Sequence, residues 1–258
     1  MSLIAAKIAI TPTLMWAVSA AARRWGSLVG GLLSGLPLTS APISIYLAAE
    51  QGERFAAEAA IGSVEGLGAV TLCYLAYALC APRMGAAASI GLALATFVLG
   101  GALLHALVRP GLWLATVIDL PAMALVVALC RRRAASGVSA RRPPRWDMPA
   151  RLAAATTLVL LVSTLAPLLG PGLSGVLAPI PIISWPLIAF ARVQDGVGAS
   201  LDVVRGSAQG AFGVLAFYIV VHATLGAMDP VLAYTLSIAV SAACVLPWLI
   251  AHRNPRAA

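Results

Sequence analysis

Two stretches of the chain place prolines beside hydroxyl side chains inside otherwise apolar sequence. In GLPLTSAPISIYLAAEQG, which starts at Gly35, Pro37 and Pro42 bracket Thr39 and Ser40. In PIPIISWPLIAFARVQDG, which starts at Pro179, Pro181 and Pro186 bracket Ser184 at the same spacing. Proline lacks the N–H of a helical turn and clashes with the carbonyl four residues back, so each pair opens a helix and frees backbone polar groups. Within lipid such groups are tolerated only against protein or a wet cavity. Pro37, Thr39, Ser40, Pro42, Pro181, Ser184 and Pro186 are therefore expected to form a small polar binding site. Its open carbonyls would suit a cation and its positive helix ends an anion; packing kinks are the plainer alternative.

Ionisable groups inside apolar runs come next. Glu65 stands midway in AAIGSVEGLGAV, and Gln209 holds the corresponding place in RGSAQGAFGV. An intramembrane carboxylate is costly and is a functional hypothesis by default, here a proton relay or cation ligand. The alternative is a neutral, hydrogen-bonded structural acid. Gly62 and Gly66 flank Glu65 as Gly206 and Gly210 flank Gln209, each pair at G-x-x-x-G spacing that lets another helix approach closely. Glu58 lies seven residues before Glu65 on the same helix face, and Asp202 with Arg205 takes the equivalent place in the second half. These three read either as parts of two gates or, for Asp202 and Arg205, as a simple ion pair. Glu50 and Asp195 end the broken segments and read as interfacial, Asp119 as a buried structural acid before Pro121, and His105 and His222 as core or interface histidines.

Little in the chain points to catalysis. G-x-x-x-x-G-K-[ST], H-E-x-x-H and G-x-S-x-G are absent, and the sole lysine is Lys7. Cys73, Cys80, Cys130 and Cys244 show no C-x-x-C spacing and read as packing residues rather than metal ligands or a disulfide. No enzymatic step, metal or cofactor is expected.

The elements that would position these groups are membrane helices. The 258 residues are 61% hydrophobic and 10% charged, with a mean hydropathy of +0.95, too little polar surface for a soluble domain. The runs are too long, and too free of alternation, for barrel strands. Segments fall at about 3–22, 27–48, 54–79, 85–107, 111–130, 150–169, 172–191, 197–225 and 229–251, nine in all, the second and seventh interrupted. The first lacks an A-x-A site and has Arg23 and Arg24 behind it, so it is expected to be a retained helix. If all nine cross, one side collects Arg23, Arg24, Arg83, the arginines of 131–151, Arg192, Arg253 and Arg256, against Lys7, Arg54 and Arg109 on the other. The bias puts the N-terminus outside and the C-terminus in the cytoplasm, in a prokaryotic inner membrane. The formal charge of +8 is then a topology signal and implies no nucleic acid. The loop RRRAASGVSARRPPRWDMP at 131–149 is the one clear linker and would rest against anionic lipid.

Sliding the chain by 144 residues aligns Gly31 with Gly175, Pro37 with Pro181, Ser40 with Ser184 and Pro42 with Pro186. The register continues through Gly52 and Gly196, Gly62-Ser63 and Gly206-Ser207, Gly66 and Gly210, and Tyr74 and Tyr218. Glycine and proline dominate the matches, and these residues set backbone shape and helix approach. The expected division is a first four-helix repeat at 1–107, a linking helix at 108–130, the loop at 131–149 and a second repeat at 150–258. Equivalent helices are then five crossings apart, an odd number, so the second repeat is inverted. The expected fold class is an all-α polytopic membrane protein of 4+1+4 inverted-repeat design.

That layout resembles several transporter superfamilies with inverted repeats, among them the cation/calcium exchangers, whose paired broken helices are also the second and seventh. The resemblance covers architecture alone. The acidic repeat signature of those exchangers is missing, since Thr39-Ser40 and Ile183-Ser184 stand where carboxylates belong, and calcium exchange is not implied. The expectation is a secondary transporter carrying a small polar or anionic solute by alternating access, coupled to H+ or Na+ or working as a uniporter. A passive pore and a non-transporting scaffold are the alternatives. Membrane lipid is the expected surrounding, and thin Ala/Gly-rich helices are compatible with a homodimer.

Overall fold

A computed structural model describes residues 13, 16–38, 40–104, 111–133, 149–150, 152–153, 156–157, 176, 179, 181 and 183–253. Expectations for Thr39, for most of the first and sixth segments, for the loop at 134–148 and for His105 lie outside the described residues. The described chain is helical, with a single isolated bridge between Leu225 and Met228. In order the helices are α1 (16–25), α2 (Ser27–Ser34), α3 (Ser40–Gln51), α4 (Glu53–Cys80), α5 (Ala86–Leu103), α6 (Gly111–Arg133), α7 (Ser184–Gln194), α8 (Val197–Thr224) and α9 (Pro230–Arg253).

Helix is what apolar sequence of this kind must form in lipid, because it satisfies backbone groups within one segment. Five helices, α4, α5, α6, α8 and α9, are long and apolar enough to cross a membrane. With that number among the described residues, the chain has the build of a polytopic all-α membrane protein. At 28 residues each, α4 and α8 run about 42 Å, longer than a hydrocarbon core of about 30 Å, which they can span tilted.

These two long helices form the centre. They pack on each other and are buried along most of their length, with α2, α6, α7 and α9 around α8, and α3, α5 and α6 around α4. The outer helices expose large apolar side chains: Leu99 on α5 is 70% exposed, Trp113 on α6 72% and Val231 on α9 72%. In water such surfaces would aggregate; facing acyl chains they cost nothing.

Glycines make the joints. Gly26, Gly52 and Gly196 separate α1 from α2, α3 from α4 and α7 from α8, with φ of 94°, 94° and 92°. Combined with ψ of 160° at Gly52 and −169° at Gly196, this is backbone space open essentially to glycine alone. A single residue thus separates one helix from the next. Helix starts also fall in register: α3 and α7 begin at Ser40 and Ser184, α4 and α8 at Glu53 and Val197, α5 and α9 at Ala86 and Pro230, each pair 144 residues apart.

The interrupted segments differ in detail from the expectation. Pro42 and Pro186 do not break a helix; each is the third residue of its own, α3 or α7. In a first turn the missing N–H would have had no partner anyway, so proline there is favourable. The break itself lies upstream, where α2 ends at Ser34 and Gly35–Leu38 form turns around a buried Pro37. In the second half Val176 is helical, Pro179 lies in a turn, and Pro181 and Ile183 are non-helical. Pro121 and Pro247 sit inside α6 and α9 without ending them.

Candidate solute site

Where α2 ends, α7 begins. Ser34, the last residue of α2, turns its hydroxyl back to donate to the Gly31 carbonyl at 2.7 Å. Its Oγ lies 2.9 Å from that of Ser184, the first residue of α7, and 3.0 Å from that of Ser207 on α8. Ser207 donates to Ser184 at 3.2 Å. Three serines from three helices thus close a triangle, its hydrogens running from Ser207 through Ser184 and Ser34 to a backbone carbonyl. With one donor and two lone pairs per hydroxyl, the cluster keeps surplus acceptors. The hydroxyl of Tyr74, on α4, faces Ser184 and Ser207, and Trp185 packs behind it at 6.4 Å between ring centroids.

This cluster lines a cavity of about 30 Å³ together with Gly35, Ser40, Leu67, Val70, Pro179, Pro181, Ala211 and Val214. The volume is room for about two water-sized groups. Two helix ends of opposite polarity meet there, the carbonyl end of α2 and the N–H end of α7, so the walls can serve either sign of a small dipolar or charged group. Four pairs of residues 144 apart line the cavity with both members: Gly35 with Pro179, Ser40 with Ser184, Leu67 with Ala211, and Val70 with Val214.

The equivalents of Tyr74, Ser184 and Ser207 are Tyr218, Ser40 and Ser63, and the fold brings these together as well. The Tyr218 hydroxyl lies beside those of Ser40 and Ser63, fully buried and with no hydrogen bond closed among the described residues. Ser63 instead donates within its own helix to the Ala59 carbonyl at 2.9 Å.

Close helix contacts hold this arrangement. A Cβ on Gly31 would strike the Val203 carbonyl, one on Gly206 the Leu28 carbonyl, and one on Gly35 the Ser207 carbonyl. At Gly210 it would stand 2.5 Å from the Leu32 carbonyl, and at Gly66 it would strike that of Val176, the residue equivalent to Leu32. Backbone meets backbone with no room for a methyl group. Gly62 is buried on the same helix.

Of the residues singled out from sequence, Ser40, Ser184 and Pro181 line the cavity, while Pro37, Pro42 and Pro186 are not among its lining residues. Glu65 and Gln209 are buried at 8% and 4% exposure but are not among the lining residues. The Gln209 Oε1 has no hydrogen-bond partner among the described residues. Glu58 is at the surface, paired with Arg54 at 3.1 Å. Asp202 and Arg205 are half-buried on α8. Asp119, read as a structural acid, is 3% exposed; its Oδ1 lies 2.8 Å from where a Cβ on Gly68 would stand, and its Oδ2 is unpartnered among the described residues.

Sequence reasoning missed Ser34 and Arg192 and noted Ser207 and Tyr74 only as repeat identities. Ser34 aligns with Ala178, so the repeat gave it no weight. Arg192 counted only toward charge bias; its Nη2 donates to the carbonyls of Ala81 and Met84, both at 3.0 Å, fastening α7 to the end of α4. The chain matches no protein-family model, no curated protein and no solved structure.

Proposed function

We propose that the protein is a secondary transporter of a small polar or anionic solute, working by alternating access. The carrying observation is the small hydroxyl-lined cavity bounded by both members of four residue pairs spaced 144 apart. A site on a pseudo-two-fold axis is what an inverted-repeat transporter requires, because rocking one half against the other exposes such a site to either side in turn. Helix starts in the same register and equivalent glycine contacts support reading the chain as 4+1+4, with nine crossings, broken second and seventh helices and a cytoplasmic C-terminus in a prokaryotic inner membrane. The arginine distribution supports that orientation. In this reading Ser34, Ser184, Ser207 and Tyr74 contact the solute, Glu65 carries the coupling proton or cation, and Glu58 and Arg205 with Asp202 act at the two entrances. No catalytic step is assigned.

The test is transport by purified protein in proteoliposomes. Solid-supported-membrane currents would be recorded for a panel of small anions and cations, with and without a pH gradient. A saturable current is expected, lost in Ser184→Ala/Ser207→Ala and uncoupled from protons in Glu65→Gln. A current linear in concentration would replace the carrier with a pore, and no current from folded protein would remove the transport reading.

A further inference from the structure

A second cavity lies away from this site, on the lipid-facing surface, and has different chemistry. It is a groove of about 540 Å³ between α6 and the aromatic pair Phe212 and Trp248 of α8 and α9. Its α6 wall is Ala124, Val127, Ala128 and Arg131, the i, i+3, i+4, i+7 stripe of one helix face. Two alanines leave the trough, and Phe212 and Trp248, edge to face with centroids 5.2 Å apart, close its far side. Arg131 and the adjacent Arg132 stand at its mouth, both exposed. From Ala124 to Arg131 the trough runs about 10 Å, apolar throughout. Both α6 and α9 finish at this end, and Trp248 lies five residues before the end of α9, the helix-end position tryptophan favours in membrane proteins.

We propose that this groove binds one anionic phospholipid, its phosphate held by Arg131 and Arg132 and the upper part of an acyl chain lying between α6 and the Phe212–Trp248 pair. Neither arginine has an acidic partner among the described residues, and guanidinium matches phosphate geometry through paired N–H donors. A solute free in water would leave the apolar trough unfilled. A second copy of the chain fits poorly, because a two-fold contact over this face would set like-charged arginine pairs near each other, and the chain has 9 acidic residues against 17 basic. The inference concerns a site apart from the solute cavity and stands whether or not the protein transports.

The experiment is tryptophan quenching in phosphatidylcholine vesicles that carry a small fixed fraction of dibrominated phosphatidylglycerol or of dibrominated phosphatidylcholine. Subtracting the signal of Trp248→Phe, which keeps the aromatic contact with Phe212, isolates Trp248. The expected result is preferential quenching by the anionic lipid, with a preference of about twenty-five-fold, about fivefold per arginine. It should disappear in Arg131→Gln/Arg132→Gln and persist in excess inorganic phosphate. Monodisperse elution of each variant excludes misfolding as the cause. Equal quenching by both lipids, or a preference unchanged in the double variant, overturns the proposal. Displacement by inorganic phosphate would make the site one for a free anion, and efficient cross-linking of Ala124→Cys protomers with no quenching would give the groove to a second copy; either result also overturns it.

Discussion

The hydroxyl cluster at Tyr74 and the one at Tyr218 are made of equivalent residues and are closed in different ways. At Tyr74 the serines bond to one another across three helices and border a cavity. At Tyr218 the hydroxyl is buried with no bond formed among the described residues, and Ser63 turns inward to its own helix. Two sequence differences accompany the change: Ser34 stands where the second half has Ala178, and Glu65 where it has Gln209. Ser34 is the keystone of the first triangle, touching both other hydroxyls, accepting from Ser184 and donating to Gly31, and alanine at the equivalent place has no hydroxyl to offer. The contrast teaches that near-identical parts can hold serines bonded to one another on one side and a buried, unbonded phenol on the other.

The harshest way to break the comparison is to push the helices apart. Gly206→Val drives a side chain into the Leu28 carbonyl, and Gly66→Val does the same against Val176. Overpacking costs about 1–3 kcal/mol when side chains yield, and more when backbone must. Both variants are expected to lose most folded protein in detergent, measured by monodisperse yield and thermal melting. Gly91→Val, with open space around it, should behave as wild type. Survival of Gly66→Val alone would mean that the two halves are not packed alike.

Next in size are the serines. Ser207→Ala removes the hydroxyl that joins two others at the cavity, leaving partners to be resatisfied at about 1–3 kcal/mol, and should raise the half-saturation constant for transport about tenfold or more. Ser63→Ala removes a bond to its own helix and should change it less than about threefold. Half-saturation constants from oriented proteoliposomes decide the matter; equal increases would erase the asymmetry.

A smaller effect is expected at the joints. Gly52→Ala and Gly196→Ala each force a side chain into backbone space that costs about 1–3 kcal/mol, with open space around both. Because strain rather than contact sets the loss, the two melting shifts should agree. A difference of more than about half would show that one joint relaxes where the other cannot.

How much of this was legible in the sequence follows from what periodicity and local chemistry can carry. The long helices were readable because twenty or so apolar residues admit few alternatives in lipid, and the observed limits of α4 and α8 lie within a residue or so of those expected. The joints at Gly52 and Gly196 were visible as matched glycines, though not their backbone angles. The proline pairs pointed to the right stretch but misplaced the break, since the same residue that ends one helix is favourable in the first turn of the next. Ser34 could not be found, because its role depends on crossing helices that sequence distance does not measure. Asp119 was noted only as a buried acid, and its contact with Gly68 is a tertiary fact.

The finest test concerns two hydroxyls. Tyr218 carries a buried phenol oxygen with no hydrogen bond among the described residues, a state that costs free energy in the resting protein. Tyr218→Phe deletes that oxygen and leaves the ring packed against Phe217 at 5.2 Å, so the variant should be more stable, by about 1 kcal/mol or a melting shift of about 2–4 °C. Tyr74→Phe removes a hydroxyl that opens on the cavity, which should leave melting nearly unchanged and weaken solute binding instead. If the proposed transport cycle needs the buried phenol, Tyr218→Phe will also slow turnover while its half-saturation constant stays put. A Tyr218→Phe protein that is less stable than wild type would mean that the phenol is satisfied after all, and with it would go the contrast between a bonded and an unbonded cluster. Stability that rises with turnover unaffected would keep the contrast but confine it to structure, so the two readouts have to be taken on the same preparation.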